Sequence, residues 1–180
     1  MSEKPFLKTA LSLCSAAGLA MTLVGCANNK VTNDAQTDAQ VCDALKNVIA
    51  HAGSNFDSLK SGNGVADYDH TRWDTKPIFK GADCDVIGWG AGKTNYACTW
   101  TKTESKDARS DFAYGLGVAK TCLGPEWLST SIPGVTGEGA RFSKAGSSVV
   151  IDVRLAQELP PSKNWLTSLT IGAPINRNAK

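Results

Sequence analysis

The apolar residues between Thr37 and Ser61 recur at the spacing of a helix. Their positions advance by four, three, four, four and three residues through Val41, Leu45, Val48, Ala52, Phe56 and Leu59. This spacing places one apolar stripe along an α-helix. The following Ser61-Gly62-Asn63-Gly64 is typical of a helix end and a turn. We therefore predict an amphipathic helix from about Thr37 to about Leu59.

A second helical pattern begins near Ser105. Its inward positions are Ala108, Phe112, Leu116, Ala119 and Leu123. Gly124-Pro125 then ends the pattern sharply, because glycine favours a helix C-terminus and proline cannot continue one. The predicted second helix runs from about Ser105 to Leu123.

Alternation of apolar and polar residues predicts strands in the rest of the chain. A hairpin over residues 82–101 turns at Gly90-Ala91-Gly92, and three strands follow near 140–144, 149–155 and 165–171. The order is helix, two strands, helix, three strands. This order predicts an α+β fold, in which an antiparallel sheet of about five strands carries both helices on one face.

Two segments between these elements lack a clear alternation. Residues 65–81 are polar, with a weak strand signal near Pro77 to Lys80, and residues 125–139 are rich in glycine. We interpret both as loops.

The first 26 residues follow a different pattern. Lys4 and Lys8 precede an uncharged run of apolar and small residues from Ala10 to Thr22, and Leu23-Val24-Gly25-Cys26 follows. This segment resembles the signal peptide of a bacterial lipoprotein, and its last four residues match the lipobox. The apolar run is too short to span a bilayer. An ordinary secretory leader with an incidental cysteine is the alternative.

The resemblance implies cleavage before Cys26 and attachment of acyl chains, palmitate among them, which would anchor the protein to a membrane. It also implies the periplasmic face of a Gram-negative outer membrane, because Ala27 stands where inner-membrane lipoproteins commonly carry aspartate. The expected organisation is a signal peptide over 1–25, a lipidated N-terminus and flexible tether over 26–39, one domain over 40–176, and a tail over 177–180.

The charge balance limits the partners. The leader holds two of the 19 basic and one of the 17 acidic residues of the 180-residue chain, which leaves 17 basic against 16 acidic residues. A nearly neutral domain lacks the basic surface that nucleic acid requires. We therefore expect no nucleic acid among its ligands.

Four cysteines fall within the expected domain: Cys42, Cys84, Cys98 and Cys122. An even number in an oxidising compartment predicts two disulfides. Cys84 and Cys98 each lie seven residues from Ala91, so the hairpin places them opposite each other. The same face carries Val86, Tyr96 and Trp100. The second disulfide then joins Cys42 to Cys122, which lie within reach of each other if the two helices are antiparallel. A four-cysteine zinc site is the alternative, but the sequence lacks the C-x₂₋₄-C pair that is typical of such a site.

The stretch IGWGAGKT, residues 87–94, ends like a phosphate-binding loop. A Walker A motif requires a first glycine at position 87, where Ile87 stands, and a helix after the loop. The following NYACTWT is instead typical of a strand. We expect a hairpin tip here and no bound nucleotide.

The residues offer little for catalysis. No G-x-S-x-G or H-E-x-x-H motif occurs, and the histidines are His51 and His70. The acidic stretch around Asp67, Asp69 and Asp74 fails the EF-hand pattern. We expect a non-enzymatic protein without a cofactor or bound metal. A periplasmic hydrolase, or a protein that binds metal or a small ligand through residues 65–74, is the alternative, and a structural spacer lipoprotein is a third.

The hairpin tip is the candidate surface for a partner. Trp89 lies between two glycines and faces away from the side that carries Cys84, and Lys93 lies across the same turn. An aromatic side chain on a disulfide-stiffened hairpin is suited to anchor a protein partner. The alternative is that Trp89 folds back onto the sheet or under the glycine-rich loop 133–140. The leading hypothesis is protein binding by Trp89 and Lys93, with loop 125–140 beside them, in an inhibitor or immunity-type lipoprotein or an accessory subunit of an envelope complex.

Overall fold

The computed structural model of the protein describes residues 38–90, 92–133 and 137–174. The predicted signal peptide, the lipidation site Cys26, nearly all of the tether and the C-terminal tail lie outside these residues. In the described part of the chain, neither helix is long and apolar enough to cross a membrane.

The described residues form two helices and one antiparallel sheet. Helix α1 spans Asp38–Ala50 and helix α2 spans Ser105–Cys122. The strands are β1 (Ser61–Ala66), β2 (Thr71–Asp74), β3 (Asp83–Gly88), β4 (Thr94–Lys102), β5 (Trp127–Ser131), β6 (Gly137–Lys144), β7 (Val150–Gln157) and β8 (Trp165–Gly172). Their order across the sheet is β1-β2-β3-β4-β8-β7-β6-β5.

The prediction of about five strands is therefore wrong, because the sheet has eight in the described residues. The three missed strands are β1, β2 and β5. Strands β2 and β5 fall in the segments interpreted as loops, and β1 covers the predicted helix end at Ser61-Gly62-Asn63-Gly64 and the first two residues of the segment 65–81. Every residue of β1 is exposed, and β5 is exposed after its first residue. Edge strands such as these pair on one side and bury little, so they need no alternating apolar pattern. The α+β class and the two disulfides are confirmed.

The first helix is also shorter than predicted. Helix α1 ends at Ala50, and two single-turn 3-10 helices follow it. Between them, Asn55 and Phe56 adopt left-handed φ angles of 54° and 58°. The chain thereby reverses direction while Phe56 remains fully buried. The apolar residues that predicted one long helix therefore belong to a shorter helix and to the tight turn that follows it.

Both helices contribute side chains to a single core on one face of the sheet. The buried positions of the central strands alternate, as in Val86 of β3, Ile151 of β7 and Leu169 of β8. Helix α2 lies close to the sheet, since a Cβ on Gly115 would stand 3.2 Å from Val153 Cγ1. In the same layer, the buried Thr167 hydroxyl donates a 2.8 Å hydrogen bond to the Ala108 carbonyl.

The two disulfides have the predicted pairing. Cys42, in the second turn of α1, is bonded to Cys122 at the end of α2. Cys84 and Cys98 are bonded within the β3–β4 hairpin, where they are direct cross-strand partners. One bond therefore joins the helices and the other joins neighbouring strands of the sheet.

No described element covers the opposite face of the sheet, which we call the open face. Its central positions, on β4 and β8, carry small or hydroxyl side chains: Ala97, Thr99, Ser168 and Thr170. Strands β2 and β3 carry Asp74, Asp83 and Asp85 on this face, against Arg72. On the other side of the centre, β6 and β7 carry Arg141 and Arg154, which both contact Asp152. The open face is thus acidic on one side and basic on the other.

The open face makes stability depend on pH through Asp85. Burial raises the pKa of its carboxyl above the usual value; Arg72 opposes this, and Asp74 and Asp83 add to it. A carboxyl with a raised folded-state pKa favours the fold while protonated, and this contribution is lost as pH rises through that pKa. We expect Asp85→Asn to raise the melting temperature at pH 7 but not near pH 3, where Asp85 is already neutral.

Thermal melts of both proteins at the two pH values check this, with Asp43→Asn on the exposed side of α1 as the control. The expectation fails if Asp85→Asn shifts the melting temperature equally at both pH values.

Candidate functional site

Two turns meet at one end of the sheet. Residues 67–70 connect β1 to β2, and residues 89–93 connect β3 to β4. Because β2 pairs with β3, and Thr71 is the partner of Gly88, the two turns are neighbours. We call residues 67–70, 89–90 and 92–93 the hairpin corner. It unites the acidic stretch and the tryptophan tip, which the sequence had suggested as separate candidates.

Trp89 lies beneath the first turn. The His70 imidazole packs against the indole with ring centroids 5.1 Å apart and an interplanar angle of 36°. Trp89 is only partly exposed, and its indole nitrogen is buried without a hydrogen-bond partner in the described part of the chain. The predicted anchor is therefore part of the support of the corner, with His70 placed over it.

Local hydrogen bonds hold the turn above Trp89. The Asp67 backbone N–H donates to the His70 carbonyl at 2.8 Å, and the Tyr68 N–H donates to Asp67 Oδ1 at 2.7 Å. Asp69 Oδ1 lies 2.7 Å from His70 Nδ1, and Asp67 Oδ2 lies 3.8 Å from Nε2. The two carboxylates thus bracket one imidazole. This arrangement, together with the stack on Trp89, holds the turn from which Tyr68 projects.

Tyr68 is the exposed aromatic residue of the corner. Its side chain is as accessible as in an extended peptide, at 101% of the reference area, and Val65 on β1 is 64% exposed. Lys93, the second predicted contact residue, is also exposed. Sequence reasoning missed Tyr68 because it treated residues 65–81 as a loop. The available signal was an aromatic residue flanked by two aspartates, as expected at a turn.

The predicted neighbour of the corner, loop 125–140, is elsewhere. Strand β5 lies four strands beyond β4 at the far edge of the sheet. The connection from β5 to β6 also leaves at the opposite end of the strands, because Ser131 pairs with Ala140 whereas Trp127 pairs with Lys144. The expected joint surface is therefore wrong. The missed strand β5 is the reason, since it carries this segment away from the hairpin.

The described residues offer little for metal binding or catalysis. Residues 38–90, 92–133 and 137–174 contain no group of three or more His, Cys, Asp or Glu placed to hold a metal ion. His51 Nδ1 lies 3.0 Å from the Ser58 hydroxyl, which borders a cleft of about 350 Å³. A nucleophilic serine also needs a group that orients the histidine. In the described chain, no carboxylate contacts His51, so the pair lacks this third member.

A smaller cleft of about 200 Å³ lies between the helices beside the Cys42–Cys122 bond. Its lining is mainly apolar, with Val41, Val118 and the Tyr114 ring. Burial raises the pKa of the Tyr114 hydroxyl, and the nearby Asp38 adds to this effect. A protonated phenol is a hydrogen-bond donor and not a base.

No known protein family matches the chain, and no curated protein or solved structure is significantly similar to it. The functional argument therefore depends on the residues and geometry of this protein.

Proposed function

We propose that this protein is a lipoprotein of the outer membrane, anchored through Cys26 at the periplasmic face, and that it acts by binding another protein through the hairpin corner. The observation that carries the proposal is the complete exposure of Tyr68 on a turn held by hydrogen bonds and by the His70–Trp89 stack. The lipobox in the sequence supports the anchor, and the two disulfides suit an oxidising compartment.

An exposed aromatic side chain on an ordered turn has two properties of an interface anchor. Tyrosine buries a large area on binding and is enriched among the residues that dominate interface energies. The turn is already ordered, so little backbone entropy is lost when a partner binds. The surrounding Asp67, Asp69 and Lys93 supply the polar rim that surrounds such an anchor in interfaces.

The corner fits two kinds of partner. An inhibitor or immunity-type lipoprotein would insert Tyr68 into the cleft of one envelope hydrolase. An accessory subunit would hold several components of an envelope complex together. Both roles use the same side chain, and the identity and number of captured proteins distinguish them.

Crosslinking in living cells tests the contact surface. A photo-reactive amino acid replaces Tyr68, and the matched control replaces Leu128, which is 65% exposed on the far edge strand. We expect a discrete adduct with a different protein from position 68 and no such adduct from position 128. One hydrolase in stoichiometric amount indicates an inhibitor, and several envelope proteins indicate an accessory subunit. The proposal fails if position 68 gives no adduct with a different protein, or if position 128 captures the same proteins.

Binding to the captured partner should depend on Tyr68 more than on any general property of the fold. We expect Tyr68→Ala to weaken binding at least about tenfold, as for an interface anchor. Its free energy of unfolding should change by less than about 0.5 kcal/mol, because the side chain buries nothing within the domain. Calorimetric titration and urea denaturation measure the two quantities, with Leu128→Ala as the control. Trp89→Ala is unsuitable, because it removes the support of the turn.

A further inference from the structure

The charged residues of the open face lie in register across the sheet. Asp83 on β3 and Arg154 on β7 belong to one cross-strand row, in which Thr99 and Ser168 lie between them. Asp74 on β2 and Arg141 on β6 belong to the next row, together with Asp85, Ala97, Thr170 and Asp152. In each row the acidic and basic ends are equally distant from the midline between β4 and β8, because these two strands are the centre of the eight.

Neither end of the face is neutral by itself. Three carboxylates on β2 and β3 are opposed by Arg72, whose Nε lies 3.9 Å from Asp85 Oδ1. At the other end two arginines share Asp152, whose side chain is 6% exposed. Arg154 reaches Asp152 through a single 3.2 Å contact from Nη2, which leaves other guanidinium donors available to a ligand. A net negative and a net positive patch therefore lie on the same face at matching distances from its midline.

We infer that the open face is an interface with a second copy of this chain, formed around a two-fold axis parallel to the strands and midway between β4 and β8. Rotation about this axis places each β3 against the β7 of the partner copy and each β2 against its β6. The interface is isologous, so each contact occurs twice. Asp83 then faces an arginine at position 154, and Asp74 faces one at position 141.

The uncharged positions fit the same arrangement. Ile87 on β3 and Val150 on β7 share the third row, so the rotation places apolar residue against apolar residue. The small side chains along the midline, Ala97, Thr99, Ser168 and Thr170, permit two sheets to approach to the usual packing distance of about 10 Å. The open face carries few large apolar groups, so charge complementarity determines which surface binds to it. The dimer should therefore be sensitive to salt.

Complementary charge reversals test the pairing. Two differently tagged copies of the full chain are expressed together, and recovery of one tag with the other measures association. Relative to wild type, we expect Asp83→Arg paired with itself and Arg154→Asp paired with itself each to reduce recovery at least about tenfold, because both contacts become repulsive. Co-expression of Asp83→Arg with Arg154→Asp should restore recovery, since both contacts are attractive again. Absence of association in wild type, or a mixed pair no better than the single variants, overturns the dimer.

Cysteine crosslinking covers the case in which a reversed charge prevents folding. Ile87→Cys in one copy and Val150→Cys in the other should be joined by a short bifunctional maleimide, because they face each other across the axis. Ile87→Cys alone should not crosslink, because its two copies lie about three strand spacings apart across the interface. Equal crosslinking of Ile87→Cys with itself and with Val150→Cys, or none in either case, contradicts the proposed axis.

Discussion

Replacing Cys42 and Cys122 together by alanine is expected to lower the free energy of unfolding by about 4.5 kcal/mol, the loss that the chain-entropy relation gives for a closed loop of this length. The bond links residues that are 80 positions apart, so it restricts more than half of the described chain in the unfolded state. It also joins the first helix to the second, and α1 has few contacts with the sheet apart from those with β8. The expected effect therefore includes loosening of α1.

The hairpin bond provides the matched control. Cys84 and Cys98 are only 14 residues apart, and the same relation gives about 3 kcal/mol for their double alanine variant. Urea denaturation of both double variants under the same non-reducing conditions compares the two values. A larger loss from the hairpin pair would show that loop length does not decide the effect.

The elements that sequence predicted well are those that bury one face. The second helix was predicted within one residue, because Ala108, Phe112 and Ala119 repeat at helical spacing and are all buried. The β3–β4 hairpin was predicted because Cys84 and Cys98 alternate in step with residues of the core. In both cases the spacing of the buried residues along the sequence follows the geometry of the backbone.

Two of the three strands that sequence missed, β1 and β5, are edge strands that bury little. Strand β1 has the sequence SGNGVA and is exposed throughout, so its structure depends on hydrogen bonds to β2 rather than on side-chain burial. Strand β5 is held in the same way by β6. Hydrogen bonding between backbones leaves no periodic pattern in the sequence. The predicted number of strands was therefore too low.

The failure to predict β1 and β2 also explains why the hairpin corner was not predicted. Trp89 and the acidic stretch were each noticed, but their proximity depends on β1 and β2 forming a hairpin beside β3. Without these strands, the stack of His70 on Trp89 had no basis in the sequence. The exposure of Tyr68, which lies in the same turn as His70, could not be predicted for the same reason.

Trp100→Ala is expected to lower the free energy of unfolding by about 4 kcal/mol, within the range for removal of a fully buried aromatic side chain. Trp100 is 2% exposed, and its ring contacts Phe79 and Tyr114 with centroid distances of 5.7 and 6.3 Å. Its indole N–H also donates a 3.0 Å hydrogen bond to the Lys80 carbonyl. Trp100 thus holds residues 75–82, which connect β2 to β3, against the helix side of the sheet.

Two measurements separate this role from simple loss of volume. Urea denaturation should show a smaller loss for Trp127→Ala, because Trp127 is only partly buried on the edge strand β5. Hydrogen exchange should increase in residues 75–82 of Trp100→Ala but not of Trp127→Ala. Trp100→Phe should keep most of the ring contacts and lose about 1 kcal/mol from the missing hydrogen bond. Equal losses from Trp100→Ala and Trp127→Ala would mean that Trp100 does not anchor the connection. In that event, other contacts would hold residues 75–82: the burial of Phe79 and Ala82 in the core, and the Tyr96 hydroxyl, which donates a 2.8 Å hydrogen bond to the Lys76 carbonyl.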